Sequence, residues 1–169
     1  MKRLFFALWP DDATREQCVK ITQSICIGDA KAVIRSNLHI TLLFLGNIDS
    51  GKEAIIRQEA ATIYVPKFSL KFDQLNFWQK LKVLCLTASE FNPKLITLVE
   101  SLSNLAKKLE IVIDKRPFTP HITLVKKAKG IVLQKFDPII WHSGSFCLVE
   151  SCSQINGVEY RVIDQWKIS

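Results

Sequence analysis

Two of the three histidines of this chain each begin a copy of the same four-residue sequence. His39-Ile40-Thr41-Leu42 is repeated without change as His121-Ile122-Thr123-Leu124, and the only other histidine is His142. Imidazole titrates near neutral pH, so one member of a histidine pair can accept a proton while the other donates one. Threonine hydroxyls can donate hydrogen bonds to phosphate oxygens. These residue types suit metal-free acid–base attack on a phosphodiester.

Both copies fall in segments whose pattern predicts β-strands. Residues 38–45 form an apolar run ended by Gly46-Asn47, and residues 120–126 predict a strand late in the chain. Because side chains alternate along a strand, the His and Thr of each copy share one face, while the Ile and Leu anchor the other. If a pseudo-two-fold axis makes the two strands neighbours, two imidazoles and two hydroxyls converge on one groove.

Two other interpretations of the repeat remain open. A single His-x-Thr sequence on a strand is unremarkable, but two copies with identical neighbours in a basic chain favour a site. Imidazole also binds zinc, although no third Cys, His or carboxylate stands at a matching spacing. We therefore predict no metal and no cofactor. His142 has no Thr partner and lies at a predicted turn, so we expect it to be structural or at the surface.

The remaining pattern mixes helices and strands. Helices are predicted from Asp11, as N-cap, to about Cys26, after a capping box at residues 50–53, and after Asn92-Pro93. Further strands are predicted at residues 4–9, 68–72, 82–87, 145–151 and 159–166. The lack of strict strand–helix alternation favours the α+β class. No linker or low-complexity segment divides the chain, which predicts one domain over residues 1–169.

Composition narrows the class of protein. The chain has 169 residues, of which 48% are hydrophobic, so it is too apolar to be disordered and long enough to bury a core. Lys and Arg number 23 against 16 Asp and Glu, for a net charge of +7. A basic surplus indicates an anionic partner such as nucleic acid or phosphate, although many soluble domains are equally basic.

The cysteines and apolar runs indicate a location. The five cysteines form no C-x-x-C pair, which argues against a zinc site or a disulfide framework. Cys85 and Cys147 have apolar neighbours and are predicted to be reduced core residues, as in a cytoplasmic protein. The apolar run at residues 4–9 is too short for a signal peptide, and no run approaches the length of a membrane span.

Three longer blocks around these residues resemble the 2H phosphoesterase superfamily, in particular its RNA 2′,3′-cyclic phosphodiesterase branch, historically called 2′-5′ RNA ligases. The blocks are residues 3–8 (RLFFAL), residues 37–46 (NLHITLLFLG) and residues 116–124 (RPFTPHITL), in family order. The short motif alone is weakly specific, whereas the three blocks together are strongly specific.

The resemblance implies a bilobal α+β fold with pseudo-two-fold symmetry and one histidine strand in each lobe. It also implies opening of a terminal 2′,3′-cyclic phosphate to a 2′-phosphomonoester without a metal. His39 would then donate a proton to the departing 3′-oxygen, and His121 would accept one from water. Thr41 and Thr123 would hold phosphate oxygens. Because the two lobes are pseudo-symmetric, the opposite assignment of donor and acceptor also stays open.

Four further residues are candidates for substrate contact. Lys126 stands where family members often carry Arg; it keeps the positive charge but loses the bidentate geometry of a guanidinium. Arg116 lies five residues before His121 and is another candidate for phosphate contact. Phe6 would meet a base if the groove passes the first strand, and Trp78 has basic neighbours and could stack on one.

The sequence leaves more than one function open. The leading hypothesis is a cytoplasmic phosphodiesterase acting on RNA or oligonucleotides that end in a 2′,3′-cyclic phosphate. The same chemistry run backwards would join RNA ends by a 2′-5′ linkage. A non-catalytic module that binds RNA ends in the same groove is the alternative from another class. No membrane and no obligate protein partner are indicated.

Overall fold

The computed structural model describes residues 1–25, 28–130 and 135–169. The strands are β1 Lys2–Leu8, β2 Lys31–Ala32, β3 Ile40–Ile48, β4 Ser69–Phe72, β5 Gln74–Trp78, β6 Val83–Thr87, β7 His121–Lys126, β8 Ile139–His142, β9 Ser145–Gln154 and β10 Gly157–Lys167. The helices are α1 Asp12–Ser24, α2 Ser50–Ala60 and α3 Pro93–Lys108, with a 3₁₀ turn at Arg35–Asn37.

The strands form two four-stranded sheets, each of which carries one copy of the repeated tetrapeptide. Sheet A has the order β10-β9-β1-β3 and sheet B the order β2-β7-β6-β5, and β4 pairs separately with β8. All of these pairings are antiparallel. The two motif strands, β3 and β7, contact each other where the sheets meet. The predicted α+β class is confirmed.

The core follows from strand alternation and helix periodicity. Leu4, Phe6 and Leu8 of β1 point into the main apolar cluster, which also takes the inner faces of β3, β6 and β7. The helix α3 begins where Asn92 caps the backbone N–H groups of Lys94 and Leu95. Its apolar stripe packs against β3 and α2. In the described part of the chain no helix is both long and apolar enough to cross a membrane.

Several predicted boundaries are wrong in detail. Asp11 does cap α1, but α2 is capped by Asp49, whose carboxylate accepts from the N–H of Lys52, and Ser50 is already helical. The strands β2, β5 and β8 were not predicted, and His142 ends β8 instead of lying in a turn. Helix α1 ends at Ser24, and Cys26 lies outside the described residues.

Candidate active site

A pocket of about 160 Å³ lies between the two sheets where β3 and β7 meet. His39 and Thr41 enter it from sheet A, and His121, Thr123 and Lys126 enter it from sheet B. The pocket wall is completed by Val33, Asn37 and Tyr160. The sequence-based expectation that the two copies of the motif share one groove therefore agrees with the geometry of the fold.

Both motif strands change register after the threonine. On β3 the pairing with β1 passes from Thr41 to Leu43, and on β7 the pairing with β6 passes from Thr123 to Val125. Each strand thus places two consecutive residues in the core, and the residue five positions after the histidine returns to the pocket side. In sheet B that residue is Lys126, which explains how its side chain reaches the pocket.

His39 is held by hydrogen bonds at both ring nitrogens. Its Nδ1 lies 2.7 Å from the carbonyl oxygen of Asn37, and its Nε2 lies 3.0 Å from the hydroxyl oxygen of Thr41. Because a carbonyl oxygen can only accept, the hydrogen is on Nδ1. In the neutral ring, Nε2 therefore accepts a hydrogen bond from Thr41, and in the charged ring Nε2 becomes a donor.

Aromatic rings surround His39 on three sides. Trp9 stacks on it with ring centroids 5.7 Å apart, and Phe5 and Tyr160 lie at 5.2 Å and 4.9 Å. Arg15 is only 7% exposed, and its guanidinium lies 5.3 Å from the centroid of the Trp9 ring. Burial lowers the pKa of His39 from 6.5 to about 4, against the opposing effect of the Asn37 hydrogen bond. The free protein therefore holds His39 neutral at pH 7.

His121 repeats part of this arrangement. Its Nδ1 donates to the carbonyl oxygen of Thr119 at 2.8 Å. Thr119 stands two residues before His121, just as Asn37 stands two residues before His39. One ring, that of Trp78, lies against it at 4.5 Å. Burial lowers the pKa of His121 as well, and the hydrogen bond to Thr119 opposes this. In the neutral rings both Nε2 atoms consequently lack a hydrogen, and that of His39 accepts a hydrogen bond from Thr41.

The two threonines have different partners. Thr41 pairs with its own histidine, whereas the hydroxyl oxygen of Thr123 lies 3.6 Å from the sulfur of Cys85 on β6. Burial raises the pKa of Cys85 to about 11, so the thiol keeps its proton and can donate to Thr123. The hydroxyl hydrogen of Thr123 then remains available to an oxygen bound in the pocket.

Two of the residues proposed from the sequence for substrate contact lie outside the pocket. The expectation that Phe6 meets a base is wrong, because Phe6 is fully buried between Phe146 and Trp166 on the core side of β1. Arg116 is exposed, is paired with Asp114 and does not line the pocket. His142 is exposed and pairs with Ser69, as expected for a surface residue.

Sequence reasoning missed most of the residues around His39. Strand alternation requires Phe5 and Phe6 to face opposite ways, but it does not specify which of the two faces the pocket. The carbonyl of Asn37 has no sequence signature, because any residue supplies one. Trp9 reaches His39 through the pairing of β1 with β3, which sets Leu8 opposite Ile40, and Tyr160 reaches it through the pairing of β1, β9 and β10. Within the described residues, no group of three or more Cys, His, Asp or Glu could hold a metal ion.

Comparison with known families gives a match over most of the chain. Residues 10–143 match the model of the 2′-5′ RNA ligase superfamily. The RNA 2′,3′-cyclic phosphodiesterase of Escherichia coli (strain K12) is 29% identical over 171 residues, covering 99% of this chain and 97% of that protein. The protein of the same name from Archaeoglobus fulgidus is 32% identical over 126 residues, covering 72% of this chain and 70% of that protein.

Solved structures share the same architecture. The apo form of Escherichia coli LigT has a TM-score of 0.90 at 28% identity and covers 99% of this chain and 98% of its own. A structure described as a phosphoesterase also has a TM-score of 0.90 at 28% identity, covering 100% and 99% of the two chains. The structure of Escherichia coli LigT with 3′-AMP has a TM-score of 0.90 at 28% identity and covers 99% of this chain and 98% of its own.

Proposed function

The chain belongs to the 2′-5′ RNA ligase superfamily, and on that basis we propose that it hydrolyses RNA ends that carry a 2′,3′-cyclic phosphate. The observation that carries this proposal is the convergence of two imidazoles, two threonines and one lysine on a single pocket of about 160 Å³. A cyclic phosphate needs one proton acceptor, one proton donor and groups that hold its negative charge. These side chains meet all three needs.

The proposed reaction breaks the bond between phosphorus and the 3′-oxygen. His121 accepts one proton from a water molecule at its Nε2, and the water oxygen forms the new bond to phosphorus. His39 donates the proton on its Nε2 to the departing 3′-oxygen, which leaves a 3′-hydroxyl and a 2′-phosphomonoester. Each histidine ends the step in the other's protonation state, and solvent restores both.

Because the pKa of His39 is low, the ring can act as a proton donor only when the bound substrate raises that pKa. At neutral pH this ring is neutral in the free protein, so it has no proton to donate. A phosphate anion in the pocket favours the charged imidazole, because an opposite charge at contact distance raises the pKa of a histidine. Protonation of Nε2 also turns Thr41 from a donor to His39 into a donor for the phosphate. Substrate binding and charging of His39 are thereby coupled.

Thr123 and Lys126 are proposed to hold the phosphate from sheet B. The Cys85 contact leaves the hydroxyl hydrogen of Thr123 available, and Lys126 brings a positive charge to the same pocket. An ammonium binds as a point charge and lacks the two parallel N–H donors of a guanidinium. This chain would therefore hold the phosphate oxygens less rigidly than a relative with arginine there.

The site suits RNA and not DNA, because a 2′,3′-cyclic phosphate needs a 2′-oxygen. The relatives from Escherichia coli and Archaeoglobus fulgidus are RNA 2′,3′-cyclic phosphodiesterases by name, which supports the same substrate class. A cytoplasmic location is part of the proposal and is supported by the free cysteines Cys18, Cys85 and Cys147.

Incubation with adenosine 2′,3′-cyclic phosphate tests the proposal. We expect 2′-AMP as the product by chromatography, unchanged by a chelator. His39→Ala and His121→Ala should each reduce kcat by about a hundredfold or more, the usual contribution of an acid or base. His142→Ala is the matched control, since that histidine is exposed and outside the pocket. Near-normal turnover by either pocket variant would contradict the mechanism, and binding without turnover by the wild type would favour a binding module.

A further inference from the structure

Helix α1 buries an arginine on its inward face. That face consists of Thr14, Arg15, Cys18 and Ile21, and Arg15 is only 7% exposed. Among the residues that the structure describes, no carboxylate forms a salt bridge with Arg15. Burying an unpaired charge is unfavourable, so the contacts that Arg15 makes instead indicate what it does.

Two of those contacts lead to His39. The guanidinium of Arg15 lies against the ring of Trp9, and Trp9 stacks on His39. The Nη1 of Arg15 also donates a hydrogen bond to the carbonyl oxygen of Arg35. Arg35 begins the 3₁₀ turn that ends at Asn37, whose carbonyl oxygen accepts from Nδ1 of His39. Arg15 therefore contacts both the ring that stacks on His39 and the turn that holds its Nδ1.

The turn depends on polar contacts for its position, because none of its three residues is buried. Arg15 binds the carbonyl of its first residue, and the side chain of Asn37 donates to the carbonyl oxygen of Val158 on β10 at 2.7 Å. The salt bridge between Arg35 and Asp12 is exposed, and exposed ion pairs stabilise little. On the side of α1, Arg15 is consequently the main support of the turn.

We propose that Arg15 is a positioning residue for His39, a proposal that rests on the proposed function. The torsion that sets the direction of a histidine ring is broad, so contacts must fix it. The Asn37 carbonyl fixes the ring of His39 at Nδ1, the Trp9 ring packs along its face, and Arg15 supports both. A guanidinium suits this position because it is planar, stacks on a ring and still donates from its edge, which an ammonium does not do.

Steady-state kinetics and NMR of Arg15→Met test the proposal. Methionine has a similar length but lacks the donors and the charge. With adenosine 2′,3′-cyclic phosphate we expect kcat to fall by about tenfold or more, because Nε2 of His39 loses its alignment with the departing oxygen. KM should stay unchanged, since the residues proposed to hold the phosphate from sheet B keep their positions.

The Nδ1–H resonances of the two pocket histidines give a readout that needs no activity. In Arg15→Met the hydrogen-bonded signal of His39 should broaden or disappear through exchange with water. The signal of His121 is an internal control, because its Nδ1 donates to Thr119 and not to the turn. The matched variant is Arg35→Ala, which removes an exposed side chain but leaves the carbonyl that Arg15 binds. It should keep wild-type kcat and both signals.

The outcomes separate the two proposals. Loss of kcat and of the His39 signal, with the His121 signal retained, supports the positioning role. Loss of both signals would give Arg15 a general structural role and overturn the proposal, as would an unchanged His39 signal. A wild type that hydrolyses no cyclic phosphate would overturn the proposed function, and the NMR comparison would still decide whether Arg15 fixes the ring of His39.

Discussion

Acid should destabilise the folded chain through His39. Its pKa is about 4 in the folded protein and 6.5 without burial, so between these values the unfolded chain binds a proton that the folded chain does not. The stabilising effect of the neutral ring is complete above pH 6.5 and is lost as the pH falls toward 4. A shift of this size corresponds to about 3 kcal/mol of unfolding free energy.

Urea denaturation at pH 7 and pH 4.5 measures this effect. The comparison is between the wild type and His39→Asn, whose amide N–H can still donate to the Asn37 carbonyl but does not titrate. Acidic groups elsewhere titrate in both proteins, so their contributions cancel in the difference. We expect the wild type to lose about 2 kcal/mol more than the variant over this interval.

The control is His142→Asn, which changes an exposed histidine and should lose as much stability in acid as the wild type. If His39→Asn and the wild type lose the same stability in acid, His39 is not held neutral by burial. The ring would then need no bound substrate to become charged. Inorganic phosphate should reduce the loss in the wild type, since an anion in the pocket favours the charged ring.

Two further predictions concern Lys126 and the start of α2. Lys126→Ala should lower kcat/KM on a cyclic phosphate by about tenfold. Lys126→Arg should retain or exceed wild-type activity, because the guanidinium supplies both the positive charge and two parallel N–H donors. Steady-state kinetics at two salt concentrations measure both effects, and an Ala variant with wild-type activity and salt dependence would contradict them. Asp49→Ala should cost about 1 kcal/mol of stability by removing the cap on Lys52, whereas Ser50→Ala should cost less than about 0.5 kcal/mol. Equal losses in urea denaturation would refute this assignment of the cap.

The part of the site that the sequence could predict depends on local rules. His39 and Thr41 share a face because side chains alternate along a strand, and the second copy repeats the rule at His121 and Thr123. The resemblance to a known family predicted the two-lobed arrangement and a phosphate contact from Lys126. The catalytic roles of the two histidines and the binding roles of the two threonines and Lys126 remain predictions.

The parts that could not be predicted depend on pairing between distant segments. Whether Phe5 or Phe6 faces the pocket is decided by which side of β1 packs on the helices, and local sequence does not specify that side. The register shifts after Thr41 and Thr123 arise from the partner strands. The choice between Asp49 and Ser50 as the cap of α2 is a difference of one residue, within the usual uncertainty of helix ends.

The repeated register shift has a consequence for how a ligand can lie in the pocket. A site with perfect two-fold symmetry binds a ligand equally well in either of two opposite orientations. Here the equivalent positions after the two shifts are Lys126 on β7 and Phe44 on β3. Lys126 brings an ammonium to the pocket, whereas the Phe44 ring lies 4.9 Å from the guanidinium of Arg3. The two orientations of an RNA end then differ in free energy, so the direction of the strand determines which histidine faces the departing oxygen.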